Sequence, residues 1–119
     1  MKALLNATSH LQEPYRQRYL ELGWEVENQP RLQRVGPSTE ELNQEAERLA
    51  NAIPEGSCVL IGGLTYLCDA LSLRLLPRKC RLYCALTHRI SDDRGNYIFT
   101  GPSMVVETPL SRWWHETHP

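Results

Sequence analysis

The residues best suited to chemistry lie in two short stretches. The first is Asn6-Ala7-Thr8-Ser9-His10, which follows the apolar pair Leu4-Leu5. An imidazole takes or gives a proton near neutral pH, so His10 is the candidate for proton transfer. Thr8 and Ser9 carry hydroxyls that hydrogen-bond a phosphate or a ribose, yet the same two residues suit local capping equally well. Asn6 fits a ligand contact or the more ordinary task of holding its own loop together. The second stretch is Gly62-Gly63-Leu64-Thr65. Two glycines let a backbone approach a ligand closely, and a helix opening just beyond presents free N–H groups to an anion. A tight strand–helix turn with Thr65 as the cap fits these residues as well. Neither a GxGxxG dinucleotide fingerprint nor a GxxxxGK[ST] phosphate loop is present.

Other candidates are more isolated. Arg89, in Thr87-His88-Arg89, ends a later strand, and its planar guanidinium suits a phosphate. His115 and His118 have a spacing that fits metal ligation on a helix, but no third ligand accompanies them, so no metal and no cofactor is expected. Trp113-Trp114 reads as an adhesive patch for the body of the protein or for a partner subunit. Cys58, Cys68, Cys80 and Cys84 form no C-x-x-C pair and are expected to be reduced thiols. No GxSxG elbow supports a serine hydrolase, and Asp92-Asp93 reads as a charged turn.

The elements that must position these residues alternate. Lys2 to Asn6 is a short strand. A helix is expected from Glu13 to Leu22, with Pro14 in its first turn and Gly23 as its stop. A strand over Trp24 to Glu27 follows, then an irregular stretch from Asn28 to Pro37. Ser38 and Glu41 have capping-box spacing, and Leu42, Ala46, Leu49 and Ile53 form a stripe that Pro54 ends. Cys58-Val59-Leu60-Ile61 is a continuous apolar run, as in a strand covered on both faces. A helix over Thr65 to Leu76 follows, with Leu64, Leu67, Cys68, Leu71 and Leu75 on its buried face. Cys80 to Thr87 alternates as a strand, and Asp93 to Asn96 is a turn before a strand over Tyr97 to Thr100. Met104 to Glu107 is a last strand, and the tail after it shows no pattern.

Strands alternating with helices argue a parallel sheet with helices on both faces. The expected fold is α/β: a small, three-layer, Rossmann-like domain over residues 1–119, with a C-terminal antiparallel hairpin at its edge. In such sheets ligands bind beyond the carboxyl ends of the strands, where connections diverge to opposite faces. If the strand order begins 2-1-3, the two chemically loaded stretches become neighbours there.

The bulk of the chain narrows the partners. Its 119 residues suit one domain, and 41% hydrophobic with 23% charged residues is ordinary for a globular protein. A formal net charge of −1 gives no global basic field, so duplex nucleic acid is not an expected partner. No run approaches the roughly 18 apolar residues of a membrane span, and the start carries too short an apolar stretch for a secretory signal. A cytoplasmic location without membrane contact is the expectation.

The opening LLNATSH, the stretch VLIGGLTYLCDAL and the Asp-Arg-Gly hairpin tip together resemble landmarks of small CRISPR-associated accessory proteins of type III systems. These are compact ring nucleases and cyclic-oligoadenylate binders, related in shape to CARF domains. The resemblance implies a Rossmann-like subunit that forms a homodimer or higher homo-oligomer around a symmetric cyclic oligoadenylate, with cyclic tetra-adenylate the foremost candidate. It implies metal-independent cleavage, in which a ribose 2′-hydroxyl attacks the adjacent phosphorus and leaves a 2′,3′-cyclic phosphate, switching off an antiviral signal. On matching positions it assigns catalysis to Ser9 and His10 and phosphate contact to Gly63, Leu64 and Thr65. Asn6, Thr8, Gly62 and Arg89 join the ligand-binding set from the topology. Sequestration of the messenger without cleavage stays open, as does another nucleotide enzyme on this fold. A protein-interaction subunit built on Trp113, Trp114 and the edge strand, with no small ligand, is the alternative of another class.

Overall fold

Lys2–Asn6 forms strand β1, and its side chains alternate between the two faces of a sheet. A 3-10 turn at Glu13–Tyr15, with Pro14 inside it, leads into helix α1, Arg16–Glu21. Strand β2 is Trp24–Pro30. It runs past the expected end at Glu27 because β1 holds it through the backbone, with Asn6 opposite Pro30 after an irregularity in register. The segment expected to be irregular therefore starts three residues later, at Arg31. This computed structural model describes residues 1–33, 36–87, 90–98 and 101–119.

Helix α2, Thr39–Ala52, starts where the capping-box spacing places it, and the Ser38 hydroxyl accepts from the Glu41 N–H. It leads through the Pro54–Gly56 turn into strand β3, Cys58–Leu60. Helix α3 is Thr65–Leu75 and passes into a 3-10 turn at Leu76–Arg78. Strand β4 is Arg81–Leu86. A short hairpin pairs β5, Ile90–Ser91, with β6, Tyr97–Ile98, around a turn in which the Asp92 carboxylate accepts from the Arg94 and Asn96 N–H groups. The Asn96 N–H first, then the Arg94 N–H and the Asn96 side-chain amide, hold the Asp92 carboxyl below its ordinary range. Strand β7 is Met104–Glu107. Helix α4, Pro109–Thr117, follows, in a tail the sequence pattern leaves unassigned.

The main sheet has five strands in the order β2-β1-β3-β4-β7. The first four are parallel, and β7 closes the edge antiparallel to β4. The antiparallel edge is thus β7 itself, while the hairpin β5–β6 forms a separate two-stranded sheet. This is the expected α/β, Rossmann-like arrangement, and its order begins 2-1-3.

The sheet separates two apolar layers. On one face Ala46, Leu49 and Ile53 of α2 meet Leu67, Leu71 and Leu75 of α3 over Val59 and Leu82, with Trp114 of α4 against the margin. On the other face Tyr19 of α1 packs on Leu4, Val26, Leu60 and Tyr83. Leu64 was expected on the buried face of α3, but it precedes the helix and is exposed. Ala70 and Ser72 are buried there instead. The Arg18 guanidinium ties α1 to the chain entering β7, donating to the Pro102 and Ser103 carbonyls at 2.7 and 3.0 Å.

Helix α4 is bolted to the sheet by polar bonds. Thr108 caps it, accepting from the Ser111 N–H, and Pro109 occupies its first turn. The fully buried Ser111 hydroxyl accepts from the Leu82 N–H at 3.0 Å and donates to Glu107 Oε2 at 2.8 Å. His115 Nε2 lies 2.7 Å from the Cys80 carbonyl oxygen, and His118 stacks on Trp114 with ring centroids 3.7 Å apart. The two histidines thus serve separate structural contacts. Trp114 is half-buried while Trp113 faces solvent.

Candidate functional site

Strand β1 ends on Asn6, whose side chain is completely enclosed. Its Oδ1 accepts from the Thr8 N–H at 2.9 Å and from the Thr8 hydroxyl at 2.6 Å. Its amide donates to the His10 carbonyl at 2.8 Å. This is an Asx turn that folds the chain back over the end of its own strand. Around it Gln12 donates to Thr8 Oγ1 at 3.3 Å and accepts from the Tyr19 hydroxyl at 2.8 Å. Asn28 Oδ1 accepts from the Gln12 N–H at 3.0 Å. Burial pushes the Tyr19 phenol up to about 12, so it stays a neutral donor throughout the physiological range.

This network divides the polar run in two. Asn6 and Thr8 face inward, and their hydrogen-bonding groups are used within the loop, so Asn6 holds its loop as the plainer reading of its type has it. Ser9 and His10 are exposed at the rim. No side-chain bond fixes the His10 imidazole among the described residues.

The second stretch lies beside the first. The Ala7 N–H donates to the Leu60 carbonyl at 2.9 Å, continuing the β1–β3 pairing one residue past the strand. A side chain grown at Gly62 would meet the Thr8 methyl at 3.7 Å. Gly63 has φ +88°, a left-handed conformation that other residues adopt only with strain, and open space surrounds it. The turn places Leu64 at the N-cap of α3, with Thr65 as its first helical residue rather than the cap. Leucine cannot cap, so among the described residues no side chain is seen to accept from the first N–H groups of α3, which opens a few residues past the carboxyl end of β3.

The turn sits against a thiol that is not reactive. Burial and then the neighbouring Cys84 push the Cys68 thiol up, while a hydrogen bond from the Gly62 backbone pulls the other way. Burial raises the Cys84 thiol too. Both remain protonated at neutral pH and offer no thiolate nucleophile. All four cysteines are free, as the sequence suggests. Arg89, the remaining expected ligand contact, lies outside the described residues, as does His88.

No family model, curated protein or solved structure matches this chain. The site therefore rests on its own geometry. That geometry joins Ser9, His10, Gly62, Gly63, Leu64 and Thr65 at one rim of the sheet. It also shows a feature the sequence pattern does not reveal, a groove of about 620 Å³ beside Ser9, lined by Gln29, Pro30, Arg31, Leu32 and Gln33. Asn6-x-Thr8 is readable as an Asx turn from spacing alone, whereas Gln12, Tyr19 and Asn28 reach it only through the tertiary fold. Among the described residues no group of histidine, cysteine and carboxylate side chains is arranged to hold a metal ion. No helix among them is long and apolar enough to cross a membrane.

Proposed function

We propose that the rim formed by residues 6–10 and 62–65 binds a cyclic oligoadenylate across a homodimer and cleaves it without a metal. The carrying observation is the juxtaposition of the exposed Ser9-His10 pair with an uncapped helix N-terminus behind a left-handed glycine. A phosphate at the N–H groups of α3 receives hydrogen bonds and the favourable end of the helix dipole. The reaction needs little more from the protein than alignment. The ribose 2′-oxygen attacks phosphorus, the bond from phosphorus to the 5′-oxygen breaks, and a 2′,3′-cyclic phosphate remains. The proton of the 2′-hydroxyl leaves as the new bond forms, and a proton reaches the departing 5′-oxygen. His10 is the group placed to carry one of these protons, and the N–H groups of α3 offset the charge growing on the phosphoryl oxygens. Ser9 positions the phosphate from the β1 side.

A second reading, sequestration of the same messenger without cleavage, is favoured by the unanchored His10 imidazole. Efficient proton transfer uses a base held in place by a further group. One experiment separates the two. The purified protein is incubated with cyclic tetra-adenylate in EDTA, the products are chromatographed, and ligand retention is scored by gel shift. Linear products ending in a cyclic phosphate support cleavage, and His10→Ala should then lower the rate by roughly 10²–10⁴-fold with a much smaller change in affinity. Intact, retained ligand supports sequestration. Neither binding nor cleavage, repeated with other ring sizes, rejects both.

A further inference from the structure

The groove beside Ser9 has a composition that specifies a ligand. Among the described residues lining it, Arg31 alone is charged, and none of them is a carboxylate. Its guanidinium makes no ion pair or hydrogen bond among the described residues, whereas its backbone is held on both sides. The Arg31 N–H donates to the Asn6 carbonyl at 2.7 Å, and the Arg31 carbonyl accepts from Arg48 Nη2 at 3.1 Å. The nearby acid, Glu45, is buried and committed elsewhere, to Arg48 and to the Gln33 N–H. A half-buried guanidinium on a fixed backbone, with no counter-ion among the described residues, is suited to receive an anion. Gln29 and Gln33 add amide donors and acceptors, Ser9 adds a hydroxyl, and Pro30 and Leu32 add an apolar wall. One cation, neutral hydrogen-bonding groups and an apolar wall together match a phosphate joined to a sugar and a base.

We infer that this groove is a nucleotide subsite in which Arg31 binds a phosphate, Pro30 and Leu32 pack on the base, and Ser9 belongs to both this groove and the rim described above. The inference rests on the proposed function for ligand class alone, since the groove is defined by its own residues. It places the ligand across the carboxyl end of β1, from the α3 N-terminus on one side to Arg31 on the other.

Titration of ¹⁵N-labelled protein with AMP, with adenosine and with inorganic phosphate, followed by amide shifts, tests it. AMP should move the amides of Ser9, Gln29, Arg31, Leu32 and Gln33, more strongly than either adenosine or inorganic phosphate. Arg31→Gln should weaken AMP binding about ten-fold or more while leaving remote amides in place. Arg31→Lys should fall between the two. The inference is overturned if AMP leaves these amides unmoved, if inorganic phosphate binds as tightly as AMP, or if Arg31→Gln binds AMP like the parent. If cyclic tetra-adenylate neither binds nor is cleaved while AMP still moves the groove, the proposed function fails and this inference stands. If cyclic tetra-adenylate binds while AMP moves only residues 62–65, the reverse holds.

Discussion

Replacing Asn6 by Leu removes a polar side chain of similar volume from a fully enclosed position, and the cost can be worked from its partners. The Thr8 N–H loses its acceptor and, in a residue only 7% exposed, gains no water in exchange. An orphaned buried donor costs about 1–3 kcal/mol. The Thr8 hydroxyl is less affected, because the His10 carbonyl and the Gln12 amide both remain within 3.3 Å of it. The His10 carbonyl keeps those weaker partners but loses its shortest bond, a net loss of about 0.5–1.5 kcal/mol. The sum is about 1.5–4.5 kcal/mol, a large share of the about 5–15 kcal/mol that a domain of this kind holds. The assay is urea unfolding followed by tryptophan fluorescence, in which the midpoint should fall while the slope stays constant. Ser9→Ala is the companion measurement. Ser9 is exposed next door in sequence, and its replacement should change stability by less than about 0.5 kcal/mol. If Asn6→Leu costs no more than Ser9→Ala, the division of this loop into a buried scaffold and an exposed rim is wrong.

Two further outcomes test other parts of the fold. Tyr19 and Tyr83 are both raised to about 12, Tyr19 by burial and Tyr83 by burial with added repulsion from Cys58 and Glu107. The unfolded chain then releases these protons first, from about pH 10, and binds fewer protons than the native state. Stability should accordingly be full below pH 10 and fall as pH rises toward 12; urea midpoints at pH 9, 10.5 and 11.5 check this, and Tyr19→Phe should flatten the decline. Ser111→Ala leaves the Leu82 N–H without its acceptor and should cost about 1–3 kcal/mol, so an unchanged thermal midpoint would refute the attachment of α4 to β4 through that hydroxyl.

Where local chemistry and tertiary demand agree, the sequence already spells out the element. Ser38 and Glu41 mark the start of α2, Pro54 follows its end, and the unbroken Cys58–Ile61 run declares a strand covered on both faces. The 2-1-3 order on which the rim depends is compatible with β-α-β alternation but not fixed by it, so at the level of sequence it is an assumption, and the sheet adopts it. Other elements are hidden because neighbours decide them. Asn28, Gln29 and Pro30 carry no apolar alternation, yet β2 continues through them because β1 pairs again beyond the irregularity, with Asn6 opposite Pro30. The α4 segment does hold a start signal, Thr108-Pro109, but it buries too few apolar side chains for a stripe, and its docking runs through Ser111 and His115. Arg31 is invisible to spacing altogether. The role proposed for it rests on the absence of a partner among the described residues, and only the folded chain shows that Glu45 is engaged with Arg48.

The unequal covering of the two faces of the sheet has a dynamic consequence. One face lies under α2 and α3, with α4 at its margin, whereas the other lies under the six residues of α1, steadied by Tyr19 and the Arg18 clamp. Local opening follows the thinner cover, so the α1 layer exchanges its amide hydrogens by sub-global opening while β3 and β4 exchange only with the whole molecule. Gln12 and Tyr19 belong to that layer and are bonded into the loop that carries Ser9 and His10. If the rim binds as proposed, its occupancy should be linked to the closing of α1. A bound molecule would announce itself in slower hydrogen exchange on that helix, at a distance from any atom it touches.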